Sequence, residues 1–294
     1  MIPWPERGPR IVVTGATGAV GRQVARRLAG RQAEPAGVRL LVRDVDRAAG
    51  LGLSGQVARC DYDDRPGLRR ALAGADAVFV VTADPLRPQH DENILAAARA
   101  AGVRRAVKLS WLAVTDPDAD DLITRWNRDC EAMLRASGLE WTVLRMRSLM
   151  SNTLSWAASI RSESVVRALG GDAPTPSVDP RDVADVAIRA LTGAAHDGRA
   201  YALTGPERIT AREQTLELAR AAGKPIRFEE LTPHQALLRW QARLPEPVAR
   251  ALLEGAERRA AGAAARVEGD LATVTGRTPV AFASWAADHA DFFS

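Results

Sequence analysis

Lysine, cysteine, histidine and tyrosine are all scarce in this chain of 294 residues. The only lysines are Lys108 and Lys224, and the only cysteines are Cys60 and Cys130. Two cysteines at this spacing make neither a disulfide framework nor a metal site, so we expect two reduced thiols in or near a core. The four histidines include no pair spaced four residues apart, and we therefore predict no metal site.

Long apolar runs and basic stripes are also missing. No run approaches the roughly 18–20 residues that a membrane-spanning helix needs, so no membrane partner is expected. Residues 1–10 contain three prolines and no apolar segment of the signal-peptide type, which predicts a cytoplasmic location. The formal net charge is +4, but the arginines alternate with acidic residues along helical patterns. Direct nucleic-acid binding is therefore not expected.

Strand-like and helix-like patterns alternate through the first half of the chain. Strands are predicted at 10–14, 38–42, 56–59, 77–81, 104–110 and 140–145. This alternation is typical of βαβ units and predicts an α/β fold, a doubly wound parallel sheet of the Rossmann type.

The pattern changes after about residue 145. Helices are predicted at 150–169, 181–192, 210–222 and 232–268, the last broken by prolines, with short strands near 201–204 and 226–230. We therefore predict a dinucleotide-binding domain over residues 1–148, to which 178–205 return. Residues 149–294 are predicted to form mainly a smaller, helical substrate lobe.

A glycine-rich turn follows the first predicted strand. Its sequence, TGATGAVG at 14–21, places Gly15, Gly18 and Gly21 immediately before an amphipathic helix pattern. Such glycines permit a tight turn, close approach of the backbone to a pyrophosphate, and close packing of helix on strand. We therefore predict that this turn binds a dinucleotide, and that valine at Gly15 or Gly18 abolishes binding while the protein stays folded.

The end of the second predicted strand bears on the choice of cofactor. Arg43 comes first and can form a bidentate contact with the 2′-phosphate of NADP. Asp44 follows, and it is either an acid that binds the ribose hydroxyl of NAD or the N-cap of a helix over 45–49. We favour NADPH because Arg43 precedes Asp44.

At this point the sequence resembles the NmrA-like branch of the atypical short-chain dehydrogenase/reductases over nearly its whole length. The resemblance is carried by VTGATGAVG at 13–21, LVRD at 41–44, CDYDD at 60–64, ALAGADAVFVVT at 71–82, AARAAGVRRAVKLS at 97–110, LRASGLEWTVLR at 134–145, VDPRDVADVA at 178–187 and TGRTPVAFASWAADH at 275–289. Members include NADPH-dependent quinone, isoflavone-type and ergot-alkaloid-type reductases, and also NADP-sensing regulators. The resemblance therefore implies an NADP(H)-binding protein that is either a reductase or a regulator.

The resemblance also implies which residues contact the cofactor. It places Gly15, Ala16, Thr17, Gly18, Ala19 and Val20 on the pyrophosphate, Arg43 on the 2′-phosphate, Asp61 and Tyr62 at the adenine, Thr82 and Ala83 beside the ribose, and Leu109 and Ser110 near the nicotinamide.

The usual catalytic pair of short-chain dehydrogenases, a tyrosine with a lysine four residues later, is missing. Neither Tyr62 nor Tyr201 has a lysine at that spacing. The isoflavone-reductase branch uses a lysine on the helix before the sixth strand, and Asn127 stands at that position. Asn127, which can hydrogen-bond a carbonyl, and Ser110 are the catalytic candidates. Ketone reduction by a Tyr–Lys pair is excluded, whereas hydride transfer to a quinone, an imine or an activated alkene is compatible.

Residues after the fifth and sixth strands, most of them large and apolar, are candidates for the substrate pocket. They are Trp111, Trp126, Met146, Met150, Asn152 and Trp156. Simple packing of the second lobe would use the same residue types, so both interpretations stay open for each residue.

The sequence as a whole favours an NADPH-dependent reductase of a hydrophobic small molecule, such as a quinone, an imine or a secondary-metabolite intermediate. The alternatives are an NADP(H)-sensing regulator with a protein partner and an enzyme that uses bound cofactor in a non-redox step. A homodimer is compatible with either.

Overall fold

The structure, a computed structural model, describes residues 8–30, 37–53, 55–263 and 265–294. Its strands are β1 (Arg10–Val13), β2 (Gly37–Val42), β3 (Gln56–Arg59), β4 (Ala77–Val80), β5 (Arg105–Trp111), β6 (Glu140–Met146), β7 (Val165–Ala168), β8 (Arg199–Leu203) and β9 (Arg227–Glu230). Its α-helices are α1 (Ala19–Ala29), α2 (Val45–Gly50), α3 (Arg65–Leu72), α4 (Gln89–Ala100), α5 (Leu122–Ala136), α6 (Ala157–Glu163), α7 (Pro180–Thr192), α8 (Ala211–Ala222), α9 (Pro233–Gln241), α10 (Glu246–Ala260), α11 (Asp270–Thr275) and α12 (Phe282–Asp288).

The chain divides into two compact units. Unit 1 comprises Met1–Ser110, Trp126–Arg145 and Val183–Tyr201. Unit 2 comprises Trp111–Arg125, Met146–Asp182 and Ala202–Ser294. The sequence-based boundary, residue 148 with 178–205 returning, differs from this division mainly at residues 111–125, which belong to unit 2.

Unit 1 is built on a seven-stranded sheet in the order β3-β2-β1-β4-β5-β6-β8. β1 lies between β2 and β4 and pairs with both in parallel, with Val13 beside Leu40 on one side and Phe79 on the other. The apolar residues of these central strands are almost completely buried, as expected for strands covered on both faces. The predicted doubly wound Rossmann-type fold is confirmed. The sheet order reverses between β1 and β4, and ligands of such sheets bind at the carboxyl ends of strands at this point.

The predicted helix over 150–169 is wrong in its second half. A short 3₁₀ helix (Met150–Trp156) leads into α6, which ends at Ser164 with a left-handed φ of +54°. The chain then forms β7, which pairs in parallel with β9 in a two-stranded sheet of unit 2. Val165 and Val166 are fully buried, so their β-branched side chains are accommodated by strand pairing.

Unit 2 otherwise consists mainly of helices, and its core contains Phe282, Trp285 and Phe293 together with Ile160 and Leu218. The predicted helical stretch 232–268 is two helices, α9 and α10, which end before residue 261. Pro245 is the N-cap of α10, and the second proline of the pair lies in its first turn, where no backbone N–H is needed.

Cys60 and Cys130 are both buried and free, as the sequence predicts. Burial raises the pKa of the Cys60 thiol to about 11 and raises that of Cys130 further, so both thiols stay protonated near neutral pH. Within the described residues, we found no helix with the length and hydropathy to cross a membrane.

Candidate active site

The glycine turn of unit 1 is fixed to the central strands by Thr14. Its hydroxyl donates to the carbonyl oxygen of Phe79 at 3.0 Å and accepts the N–H of Val81 at 2.7 Å. Gly15 adopts a φ of +57°, and its N–H donates to the hydroxyl of Tyr62 at 3.0 Å. These contacts hold the turn at the end of β1, where the sheet order reverses.

Glycine is needed at the three positions of the turn for different physical reasons. A Cβ on Gly15 would lie 2.8 Å from the Cβ of Val81, and a Cβ on Gly21 would lie 2.3 Å from the carbonyl oxygen of Gly15. Packing therefore requires glycine at both positions. A Cβ on Gly18 would meet only the Gly15 carbonyl oxygen, at 3.2 Å. The surface beside Gly18 is thus open. Because Gly18 has no side chain, a ligand could approach the backbone closely there.

The start of α1 fits the pyrophosphate of a dinucleotide. Gly18 is the N-cap and provides no side-chain hydrogen bond, and the first turn carries no acidic residue. The first N–H groups of the helix are therefore left for an anion, and the helix dipole favours negative charge there. The N–H of Gly18 itself donates to the Gly15 carbonyl oxygen at 2.9 Å, so the donors in question begin at Ala19. Ala19 and Val20 are among the residues that the sequence assigns to the pyrophosphate.

Arg22 and Arg47 add positive charge to the region in which the sequence predicts the 2′-phosphate. Burial lowers the pKa of Arg22, and the charges of Arg26 and Arg47 lower it further. The Nε of Arg22 is buried without a hydrogen-bond partner among the described residues. Such a guanidinium is poorly satisfied until an anion binds. Sequence reasoning missed Arg22, although its place directly after the third glycine was a usable signal.

Asp44 caps α2, and the charge of Arg43 acts on Tyr62. The Asp44 carboxylate accepts the N–H of Arg47 at 2.9 Å, so the N-cap interpretation is confirmed. Its oxygen is thereby engaged with the helix. The charge of Arg43 lowers the pKa of Tyr62, which places Arg43 near the glycine turn.

Tyr62 supports the glycine turn. Its ring lies edge-on to His90 at 5.5 Å, and burial raises the pKa of its hydroxyl. A tyrosine with a raised pKa keeps its proton at neutral pH. Asp61 is exposed and accepts the N–H of Asp63 at 3.1 Å, as a turn residue does. The predicted adenine contacts of Asp61 and Tyr62 stay predictions.

A buried ion pair that the sequence analysis missed lies beneath the predicted ribose and nicotinamide residues. The Nζ of Lys108 is 3.1 Å from Asp91 Oδ1, and the two side chains are 1% and 0% exposed. Lys108 also donates to the Leu109 carbonyl oxygen at 3.0 Å, and Thr82 donates to Asp91 at 2.6 Å. The ion pair therefore positions Thr82 and Leu109. The signal in the sequence was a lysine between the apolar residues Val107 and Leu109 of the strand. Ala83, the other predicted ribose contact, follows Thr82 and is exposed.

Ser110 is held by a second buried network. Its hydroxyl donates to Glu131 at 2.7 Å, and Glu131 also binds Arg145 and Arg135, each at 2.7 Å. Burial alone would raise the pKa of Glu131, but the hydrogen bonds from Arg145, Ser110 and Arg135 outweigh it and hold the pKa below its usual value. The carboxylate is therefore ionised, and the Ser110 proton is committed to it. Asn127, the other catalytic candidate, lies on α5 and is also buried.

The residues predicted to line a pocket fall in four different places. Trp111, Asn152 and Trp156 line a cavity of about 1000 Å³ in unit 2. Met150 packs in the core of unit 2 and is 1% exposed. Trp126 belongs to unit 1, where its ring centroid is 5.5 Å from the Nζ of Lys108. Met146 is the last residue of β6 and is not among the cavity-lining residues of the described chain.

Comparison with known proteins identifies the family. The model of a family described as NAD(P)H-binding matches residues 15–194. The chain is 54% identical to (4-alkanoyl-5-oxo-2,5-dihydrofuran-3-yl)methyl phosphate reductase of Streptomyces griseus over 97% of this chain and 99% of the relative. It is 34% identical to NAD(P)H azoreductase of Xenophilus azovorans over 96% of this chain and 99% of the relative.

The same architecture is found in a solved structure, the NADPH-dependent quinone oxidoreductase of Escherichia coli in complex with NADPH. The TM-score is 0.80 at 25% identity, covering 95% of this chain and 99% of the other. The predicted enzyme class is confirmed: the protein is an NAD(P)H-dependent oxidoreductase. The resemblance read from the sequence is also confirmed, and the chain belongs to the NAD(P)H-binding family of atypical short-chain dehydrogenase/reductases.

Proposed function

We propose that this enzyme uses NADPH to reduce the ring double bond of a (4-alkanoyl-5-oxo-2,5-dihydrofuran-3-yl)methyl phosphate. The cavity of unit 2 carries this proposal, because it combines apolar and aromatic walls with an excess of positive charge. The substrate has the same two parts, an alkyl chain and a phosphate. The Streptomyces relative that is named for this substrate supports the choice, since it is 54% identical over almost the whole chain.

The lining of the cavity shows this combination of chemistry. Its described apolar residues include three tryptophans and several leucines, among them Trp111, Trp156, Trp240, Leu231, Leu244 and Leu252. Its described charged residues are six arginines and two aspartates, namely Arg147, Arg167, Arg239, Arg243, Arg258, Arg259, Asp116 and Asp121. An uncharged dye or quinone does not require this excess of arginine, whereas an anionic amphiphile does.

The proposed substrate also accounts for a site without a Tyr–Lys pair. Ring carbon 3 of the substrate is conjugated with both the lactone carbonyl and the alkanoyl carbonyl. NADPH supplies a hydride when bound, and a proton must be added at carbon 4 to complete the reduction. The negative charge that develops is shared by two carbonyl oxygens, so no strong acid is needed to stabilise it. The residues of this chain have to bind the substrate, orient it and exclude water.

The two tyrosines are committed to local contacts in unit 1. The Tyr62 hydroxyl accepts from Gly15, and the Tyr201 hydroxyl lies 2.8 Å from Nδ1 of His196. Neither contact involves a lysine, and Tyr201 is followed four residues later by Gly205. These contacts support a mechanism in which no tyrosine donates the proton. Asn127 and Ser110 remain the proposed polar groups near the reaction.

Turnover of the proposed substrate is the direct test. We expect the purified enzyme to oxidise one NADPH per substrate and to add two hydrogens to the ring, as followed by NADPH absorbance and mass spectrometry. Tyr201→Phe should change kcat by less than about twofold, because a proton-donating acid would contribute at least a hundredfold. Loss of turnover in Tyr201→Phe would contradict the tyrosine-independent mechanism. Reduction of azo dyes or quinones but not of the furanone phosphate would reject the proposed substrate.

We further propose that Arg43 and Arg22 select NADPH over NADH by binding the 2′-phosphate. Arg43→Ala and Arg22→Ala should each raise the Kd of NADPH by roughly ten- to a hundredfold, equivalent to about 1.5–3 kcal/mol for a charged contact. The Kd of NADH should be nearly unchanged. Arg69→Ala, which removes an exposed arginine of α3, is the matched control. Fluorescence titration with both cofactors measures the effect, and equal losses for NADPH and NADH would assign the 2′-phosphate to other residues.

A further inference from the structure

We infer that Arg147, Arg258 and Arg259 form a binding site for a phosphate monoester within the cavity of unit 2. The inference deepens the proposed function and takes its substrate class from it. The charge and partial burial of these three residues support the site, together with the Nε of Arg147, which has no hydrogen-bond partner among the described residues.

Arg147 follows β6 and is fixed by its backbone. Its N–H donates to the carbonyl oxygen of Leu203 at 3.0 Å. Its side chain lines the cavity, and its Nε is buried without a hydrogen-bond partner among the described residues. Burial lowers the pKa of Arg147, although the carboxylates of Glu268 and Asp116 oppose this effect. A buried guanidinium N–H that lacks an acceptor costs free energy, and an oxyanion of a ligand would supply that acceptor.

Arg258 and Arg259 lie in the last turn of α10, where the helix dipole favours cations and, through them, a bound anion. Arg258 forms an ion pair with Asp121. Burial lowers the pKa of Arg259, and the positive charges of Arg147 and Arg258 lower it further. Two cations thus act on the partly buried Arg259. This is electrostatically unfavourable for Arg259, and a bound anion would offset it.

The acidic groups around these arginines compensate for them only in part. Asp121 pairs with Arg258, and Asp116 and Glu268 act on Arg147, whereas the charges that act on Arg259 are those of Arg147 and Arg258. Asp121 is already bound by Arg258 and by both the N–H and the hydroxyl of Thr124. Arg167, another arginine of the lining, is neutralised by Glu163 and Glu229 at 2.6 Å each, so it is not part of the site. A phosphate monoester carries nearly two negative charges at neutral pH and offers three acceptor oxygens. Guanidinium groups bind such oxygens in bidentate fashion, so this ligand matches both the charge and the number of donors.

Decyl phosphate is a suitable probe, because it combines a phosphate monoester with an alkyl chain and cannot be reduced. We expect it to bind the intact enzyme saturated with NADP⁺, as measured by calorimetry. Arg259→Gln and Arg147→Gln should each weaken binding by about tenfold or more. Arg250→Gln is the matched control: it removes one positive charge from the same helix, but Arg250 is exposed and paired with Glu246.

Thermal unfolding separates this role from a structural one. Arg259→Gln removes a charge that Arg147 and Arg258 repel, so it should leave the Tm of the ligand-free enzyme unchanged or higher, whereas loss of a structural contact would lower it. A second alkyl ligand, 1-decanol, should bind wild type and variants alike. Equal binding of decyl phosphate to wild type, Arg259→Gln and Arg147→Gln would overturn the inference.

The outcome is distinguishable from that of the proposed function. If decyl phosphate follows the expected pattern but the furanone phosphate is not reduced, the phosphate site stands and the proposed reaction fails. If the furanone phosphate is reduced with the same KM by wild type, Arg147→Gln and Arg259→Gln, the reaction stands and the phosphate site fails.

Discussion

Valine at Gly18 is expected to abolish NAD(P)H binding in a protein that remains folded. The backbone at Gly18 has a φ of −79°, which any L-residue adopts, and a Cβ there meets only one carbonyl oxygen, at 3.2 Å. We therefore expect the fold to accommodate the side chain with a small shift of that carbonyl oxygen. The two branches of valine, however, would occupy the surface on which the pyrophosphate approaches the helix start. We expect the Kd of NADPH to rise by on the order of a hundredfold or more, the loss of about 3 kcal/mol.

A thermal shift experiment gives the result and its control together. NADPH should raise the Tm of the wild type, because a ligand of the native state stabilises it by mass action. Gly18→Val should have nearly the same Tm without ligand and show no rise with NADPH. Gly15→Val should instead unfold at a lower temperature, since it combines a left-handed φ with a Cβ 2.8 Å from Val81. A normal NADPH response in Gly18→Val would mean that the glycine has no role in binding.

These two glycines show what a motif in a sequence can and cannot resolve. The spacing of the motif predicted a dinucleotide site, and the family and the fold agree with it. It treated Gly15 and Gly18 alike and predicted that both valine variants would stay folded. The left-handed φ of Gly15 and its distance to Val81, a residue 66 positions away in the sequence, separate them. Local patterns carry no information on such contacts.

The same limit explains the secondary-structure error and the missing site residues. Strands β1, β2 and β4 were predictable because they are buried on both faces and their residues are therefore mainly apolar. β7 was not, because its four residues follow a helix and are stabilised by pairing with β9, which lies about 60 positions later. Likewise, a sequence shows that Lys108 interrupts an apolar strand, but not that Asp91 is its partner.

That ion pair leads to the largest expected effect on stability. Lys108→Met should lower the free energy of unfolding by about 3–5 kcal/mol, because it leaves the completely buried Asp91 carboxylate without its cation. Methionine has nearly the shape of lysine, so little of this loss comes from packing. Urea unfolding monitored by fluorescence measures the change, provided that the m-value stays the same. An exposed pair gives the control: Arg70→Met, which breaks a 3.8 Å contact with Asp64, should cost less than about 1 kcal/mol.

The double variant Lys108→Met/Asp91→Leu tests the physical cause. If the cost arises from an unpaired buried charge, replacement of both partners by apolar residues should recover much of the stability lost in Lys108→Met. Cofactor binding should not recover, because Thr82 donates to Asp91 and Lys108 donates to the Leu109 carbonyl oxygen. We therefore expect a stable double variant with a raised Kd for NADPH, which would show that the ion pair positions the residues predicted to contact the ribose and nicotinamide. A Lys108→Met protein whose free energy of unfolding lies within about 1 kcal/mol of the wild-type value would contradict this account. A buried, unpaired carboxylate should destabilise the protein by more than that.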